Sequence, residues 1–122
     1  MSKKKLLCFD LDGVICKNNK YKNSNLINYN KSKPIRTAVK VINELYDSGH
    51  KIVIYTARGM TRYNGNISLV KKKLSKLTIN SLKSWNLRYH KLVFGKIYYD
   101  FIIDDKAIDY KQSWKKTIFK KI

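Results

Sequence analysis

Four short runs of apolar, strand-forming residues each lead into a polar side chain. Leu6-Leu7-Cys8-Phe9 precedes Asp10, Ile52-Val53-Ile54-Tyr55 precedes Thr56, Leu92-Val93-Phe94 comes shortly before Lys96, and Phe101-Ile102-Ile103 precedes Asp104. Runs of this length read as strands buried in a parallel sheet, and the loops after such strands are where α/β proteins carry their chemistry. Between the first two runs, Pro34 fits the first turn of a helix. Ile35, Ala38, Val39, Ile42, Leu45 and Tyr46 then recur at three- and four-residue spacing up to Gly49, a C-terminal cap. Strand, helix, strand in this order is the parallel crossover unit. A second helix is expected over residues 66–77, a short third one over 79–87, and strands over 91–94 and 99–103. The basic, amphipathic tail from residue 107 to 122 is expected to pack Trp114, Ile118 and Phe119 on the sheet. These elements predict a three-layer α/β/α, Rossmann-like fold with a parallel sheet of about four to five strands and no cap domain.

The size limits what else the chain can hold. Its 122 residues suit one domain, 1–122, and leave no room for a substantial second one. No apolar stretch approaches the roughly 20 residues of a membrane span. The start, Met1-Ser2-Lys3-Lys4-Lys5, is followed by too few apolar residues for a secretory signal, so a cytoplasmic protein with no membrane association is expected. Cys8 and Cys16 have no further Cys or paired His to complete a zinc site and read as two reduced thiols. Residues 17–33 are polar and form a loop or small flap, too short for a folded lid.

The formal net charge of +19 raises the question of a polyanionic partner. Only Arg36, Arg58, Arg62 and Arg88 among the 27 basic residues are arginines, and Asn, Ile and Tyr are abundant beside Lys. An AT-rich coding sequence produces that joint excess without selection for binding. The charge therefore reads first as a solvated surface, and nucleic acid is the less favoured partner.

The acidic residues are placed with more purpose. There are eight in all, and Asp10, Asp12, Asp104 and Asp105 stand at the ends of the first and last runs. In a parallel sheet those ends converge with Thr56 and Lys96 on one crevice. Hard oxygen donors without His or Cys favour Mg²⁺, and a Lys beside a hydroxyl makes a phosphate cradle. A carboxylate can attack a phosphoryl group and form an aspartyl-phosphate, with cations neutralising the transferring group. Each motif alone has a plain structural rival. Asp-x-Asp is common in turns, and Asp-Asp can cap a helix at Ala107. It is the set at successive strand ends that carries the reading. Arg58, two residues past Thr56, reads as a bidentate phosphate clamp, His50 and His90 as turn residues, and Lys106 as a solvated lysine.

Asp10-Leu11-Asp12-Gly13-Val14, Thr56, Lys96 and Asp104-Asp105 occur in the order of the four signature motifs of haloacid dehalogenase (HAD) superfamily phosphatases, which the chain resembles over nearly its whole length. The resemblance implies Asp10 as nucleophile and Asp12 as general acid/base. Thr56 would orient the phosphoryl oxygens, with Ala57, Arg58 and Lys96 in the substrate site. Asp10, Asp12, Asp104 and Asp105 would hold Mg²⁺. The phrases Tyr55-Thr56-Ala57-Arg58-Gly59-Met60 and Phe94-Gly95-Lys96-Ile97-Tyr98-Tyr99-Asp100-Phe101-Ile102-Ile103-Asp104-Asp105-Lys106-Ala107 resemble a small capless branch whose members are often described as capsular or polysaccharide biosynthesis phosphatases. The chain departs from that pattern at Ile97, where most relatives have Pro, and at Val14, where many have Thr; neither side chain does chemistry. The expectation is a Mg²⁺-dependent phosphatase for a phosphosugar or other small phosphorylated metabolite, with a neighbouring subunit of a homo-oligomer able to cover the open crevice. A nucleic-acid end phosphatase or nucleotide phosphatase is the alternative reading, and a non-catalytic phosphate-binding module the third.

Overall fold

The computed structural model describes residues 3–122. In chain order its elements are strand β1 (Leu6–Asp10), strand β2 (Cys16–Lys17), a 3-10 turn (Tyr29–Lys31), strand β3 (Lys33–Pro34), helix α1 (Arg36–Asp47), strand β4 (Lys51–Thr56), helix α2 (Ile67–Ser84), strand β5 (Lys91–Phe94) and helix α3 (Trp114–Lys121). The main sheet has three strands in the order β1-β4-β5, all parallel. Asp10 stands opposite Tyr55, and Thr56 opposite Phe94, so the three carboxyl ends finish nearly flush. β2 and β3 form a separate antiparallel pair at the base of the flap.

β4 holds the centre. Ile52, Ile54 and Thr56 on one face are sealed from solvent, while the alternating Val53 and Tyr55 are only half-buried. Against the sealed side α1 turns Ala38, Val39, Ile42 and Leu45, the stripe that three- and four-residue spacing produces. Each large member of that stripe is worth about 1.5–3 kcal/mol of burial. α1 ends as expected: Gly49, at φ +94°, lets its own N–H reach the Tyr46 carbonyl and the His50 N–H reach that of Leu45. Pro34 lies just outside the helix instead of in its first turn, paired with Cys16 across β2 and β3.

Two further expectations are corrected. The helices predicted over 66–77 and 79–87 are one 18-residue helix, α2, whose N-terminus is capped by the Asn66 side chain accepting from the Leu69 N–H. The pattern looked broken because the inward position after Leu74 is polar. Thr78 occupies it, fully buried, and its hydroxyl is bonded to Arg58. The strand expected over 99–103 is not formed: this stretch has no regular structure, with Phe101 88% and Ile103 98% exposed. β1 consequently pairs with β4 alone and its other edge has no partner among the described strands. After this stretch α3 returns to the core, where Trp114 packs on Phe9 at 5.9 Å between ring centroids and Ile118 is buried; Phe119, expected to pack, is exposed. No described helix is long and apolar enough to cross a membrane.

Candidate active site

Asp10, Thr56 and Lys96 come together because they follow three adjacent parallel strands. The Asp10 carboxylate accepts from the Leu11 N–H at 2.9 Å through Oδ1, and its Oδ2 lies 3.5 Å from the Lys96 ammonium. The loop carrying Lys96 is tied to the central strand, since the Lys96 N–H donates to the Thr56 carbonyl at 3.1 Å. Thr56 is fully buried, and its hydroxyl oxygen accepts from the Arg58 N–H at 3.0 Å, which leaves the hydroxyl proton to be donated elsewhere.

The charges in this group are not in their ordinary balance. Burial pushes the Asp10 carboxyl above the usual range, although Lys96 and the Leu11 N–H act to hold it down. At 3.5 Å the ion pair is too loose to outweigh desolvation. Lys96 is held above its ordinary value: burial would lower it, but the Tyr99 hydroxyl and Asp10 together outweigh that.

A second group surrounds Asp12. Oδ1 accepts from Arg58 Nη2 at 2.6 Å, from Asn18 Nδ2 at 2.6 Å and from the Cys16 thiol at 3.4 Å, and Oδ2 accepts from Arg58 Nε at 3.2 Å. Arg58 was expected to face substrate. Instead its side chain is wholly buried and points inward. Beyond Asp12 it donates to the Thr78 hydroxyl at 3.2 Å and the Ser32 hydroxyl at 3.4 Å, and its guanidinium lies 4.3 Å from the Tyr29 ring centroid. Ser32 in turn donates to Asn18. Gly59, at φ +80°, makes the approach of α2 feasible, since a Cβ there would meet Leu74 at 2.6 Å. Burial, reinforced by the Asp12 charge, pushes the Cys16 thiol up to about 12.

Asp104 and Asp105 stand apart from both groups. Both are exposed, and Asp104 accepts from the Lys106 N–H at 2.8 Å in a local turn. Among the described residues no three acidic, His or Cys side chains are gathered so as to hold a metal ion. The donor set as arranged does not fit a divalent cation: one Asp10 oxygen faces Lys96, and the Asp12 carboxylate is occupied by Arg58 and Asn18. Sequence reasoning missed Asn18, Ser32, Tyr29 and Thr78 as partners of the Asp12 and Arg58 pair. A buried threonine interrupting the apolar stripe of α2 was the one available signal.

No family model matches the chain, and neither does any protein of curated function. The crystal structure of a target protein from Vibrio cholerae is similar to it at a TM-score of 0.75 and 26% identity, over 98% of this chain and 98% of that one. The likeness therefore extends to the terminal helix and is not confined to the sheet.

Proposed function

We propose that the chain is a phosphomonoester hydrolase of the HAD type acting through an aspartyl-phosphate. One observation carries the reading: a carboxylate, a hydroxyl and an ammonium stand at three successive carboxyl ends of one parallel sheet, with Lys96 3.5 Å from Asp10. An Asp10 oxygen attacks phosphorus, the bond from phosphorus to the leaving oxygen breaks, and Asp12 delivers a proton to that oxygen. Water then attacks the aspartyl-phosphate, Asp12 takes its proton, and cleavage of the Asp10–phosphorus bond releases phosphate and restores the carboxylate. Lys96 counters the charge of the phosphoryl oxygens, and the Ala57 loop, which the buried Thr56 hydroxyl holds through the Arg58 N–H, orients them.

Mg²⁺ dependence belongs to the same proposal and requires a rearrangement. If residues 99–103 pair along the free edge of β1, Asp104 and Asp105 arrive beside Asp10. Support comes from the two unsatisfied surfaces themselves, an edge strand without a partner and an apolar segment left in solvent. When bound, the cation would supply charge neutralisation at the phosphoryl group.

The substrate class of this proposal is a phosphosugar or similar small monoester, the only insertion after β1 being the short flap of residues 17–33. A second reading, a nucleic-acid end phosphatase, is favoured by a shallow groove of about 620 Å³ along α2. Lys72, Lys73, Lys76, Asn30, Asn80 and Ser84 are among its lining residues, and none of the lining residues is acidic. The test is phosphate release with Mg²⁺ from phosphosugars, nucleotides and end-phosphorylated oligonucleotides, beside an Asp10→Asn control. Salt-insensitive turnover of small monoesters supports the first reading. Preference for oligonucleotide ends with steep salt dependence replaces it with the second. Turnover that survives Asp10→Asn overturns the aspartyl-phosphate route through Asp10, and no turnover on any substrate overturns both readings and favours a phosphate-binding module.

A further inference from the structure

We infer that Arg58 is a positioning residue for Asp12, fixing the general acid/base by referring it to α2 and the flap, and that it does not contact substrate. The inference rests on the hydrolase reading above. Arg58 grips Asp12 side-on, with Nε on one carboxylate oxygen and Nη2 on the other. Such a fork sets the plane of a carboxylate as well as its position, which a single ammonium does not. The remaining bonds of the guanidinium reach outward to other elements. Nη1 is anchored on Thr78 in α2, Nη2 also meets Ser32 before β3, and the flat face lies on Tyr29 in the 3-10 turn. The orientation of Asp12 is thereby set by three parts of the fold outside the strand ends that carry Asp10 and Lys96.

The geometry also divides the labour between the two Asp12 oxygens. Oδ1 takes three donors, from Arg58, Asn18 and Cys16, whereas Oδ2 takes one, at 3.2 Å. Oδ2 is the oxygen with an uncommitted lone pair, and the Asp12 side chain is 26% exposed while that of Arg58 is sealed. Oδ1 is therefore the hinge of the carboxylate, and Oδ2 the oxygen whose direction Arg58 Nε fixes. A clamp would need guanidinium surface turned to the crevice, and Arg58 has none.

A double-mutant cycle on kcat and KM tests this with p-nitrophenyl phosphate as substrate, using wild type, Arg58→Lys, Asp12→Asn and the double variant. Loss of the fork misplaces the Asp12 carboxylate, and a misplacement of this kind costs roughly 10–100-fold in rate. Arg58→Lys is expected to lower kcat by that factor, with KM unchanged within about twofold, and to have no further effect once Asp12 is Asn. Multiplying losses, or a raised KM in both backgrounds, would overturn the inference and restore Arg58 as a clamp. Arg58→Lys puts a different cation into a sealed site, so Thr78→Val is run in the same cycle. It removes only the anchor on α2, and a severalfold fall in kcat that vanishes in the Asp12→Asn background is expected. If Arg58→Lys does not fold, the Thr78→Val arm alone decides. Absence of Asp10-dependent turnover in the wild type would overturn the hydrolase reading itself, whereas turnover with independent effects would overturn only the role of Arg58.

Discussion

Asp12 and Asp104 both follow apolar runs of similar length, yet they live in different physical circumstances. Asp12 sits just past a strand paired residue for residue with β4, and both its oxygens are committed to donors from elsewhere in the fold. Asp104 follows a run with no strand partner among the described strands and is held only within its own turn, its carboxylate by the Lys106 N–H and its carbonyl by the Ala107 N–H. The difference lies in what surrounds the runs. A strand is fixed by its edge neighbours and its packed face together, and Phe9 has both, against Ile54 and Trp114. Phe101 and Ile103 have neither. A catalytic motif at a strand end is only as well placed as the strand that carries it.

The largest effect separating the two regions should come from Asp10. Asp10→Asn removes the proposed nucleophile and is expected to cut phosphate release at least about 10³-fold, measured against Asp104→Asn, which leaves Asp10 in place and, if Asp104 joins the proposed Mg²⁺ site, is expected to cost about 10–100-fold with a raised Mg²⁺ requirement. Thermal melts give the same pair a second readout. The folded-state pKa of Asp10 is raised, chiefly by burial, so its neutral form is the one the fold favours. That favourable contribution is complete below the unfolded value and is lost as pH rises through the folded one. At neutral pH the ionised carboxylate works against the fold, and Asp10→Asn should melt higher than wild type. A lower melting temperature would mean that Lys96 depends on this charge more than the loose ion pair suggests.

Next comes the structural role of Asp12. Removing one partner of a buried, hydrogen-bonded ion pair leaves the other uncompensated, at a cost of about 3 kcal/mol or more. Asp12→Ala strands a guanidinium whose side chain is sealed from water. Asp104→Ala touches an exposed turn and should stay within about 0.5 kcal/mol of wild type. Urea denaturation of the two variants compares them directly. Equal stabilities would show that the network around Arg58 carries little of the fold.

These contrasts explain what could be read in advance. β1, β4, β5 and α1 were legible because each has a complete local pattern: an apolar run or stripe, then a turn residue. The residues at the strand ends were therefore legible too, Asp10, Thr56 and Lys96 among them. Side-chain direction was not. Arg58 looks like a clamp from its distance to Thr56, but its orientation depends on Thr78 and Tyr29, which lie 20 and 29 residues away in sequence. The segment 99–103 has the residues of a strand, and whether it becomes one depends on a tertiary partner, which β-propensity does not report.

That dependence gives a prediction of intermediate size. Backbone amides of residues 100–103 should exchange rapidly without divalent cation and slow markedly when Mg²⁺ is added, together with those along β1. Asp104→Asn should abolish the slowing, because in the proposed rearrangement pairing along the β1 edge and the gathering of carboxylates would be one event. Exchange in 100–103 that ignores Mg²⁺ would leave β1 an edge strand in solution and remove Asp104 and Asp105 from the site.

The smallest effect concerns two thiols, one in β1 and one in β2, and it probes the same divide between an open edge and a sealed pocket. Cys8 lies on the open side of β1, exposed, with its pKa raised by partial burial first and lowered by Lys96. Cys16 is buried, beside the Asp12 charge, with its thiol pushed up to about 12. At pH 8 the Cys16 thiolate fraction is then roughly one part in 10⁴, and the reagent has no path to it. Iodoacetamide should modify Cys8 alone in the native protein and both thiols in urea, as peptide mass spectrometry would show. If Mg²⁺ draws residues 99–103 onto the β1 edge, Cys8 labelling should slow in parallel with amide exchange while Cys16 stays protected throughout. Native labelling of Cys16 would mean that the pocket around Asp12 opens on the timescale of the reaction, and a general acid/base held by Arg58 would then have to be regarded as mobile.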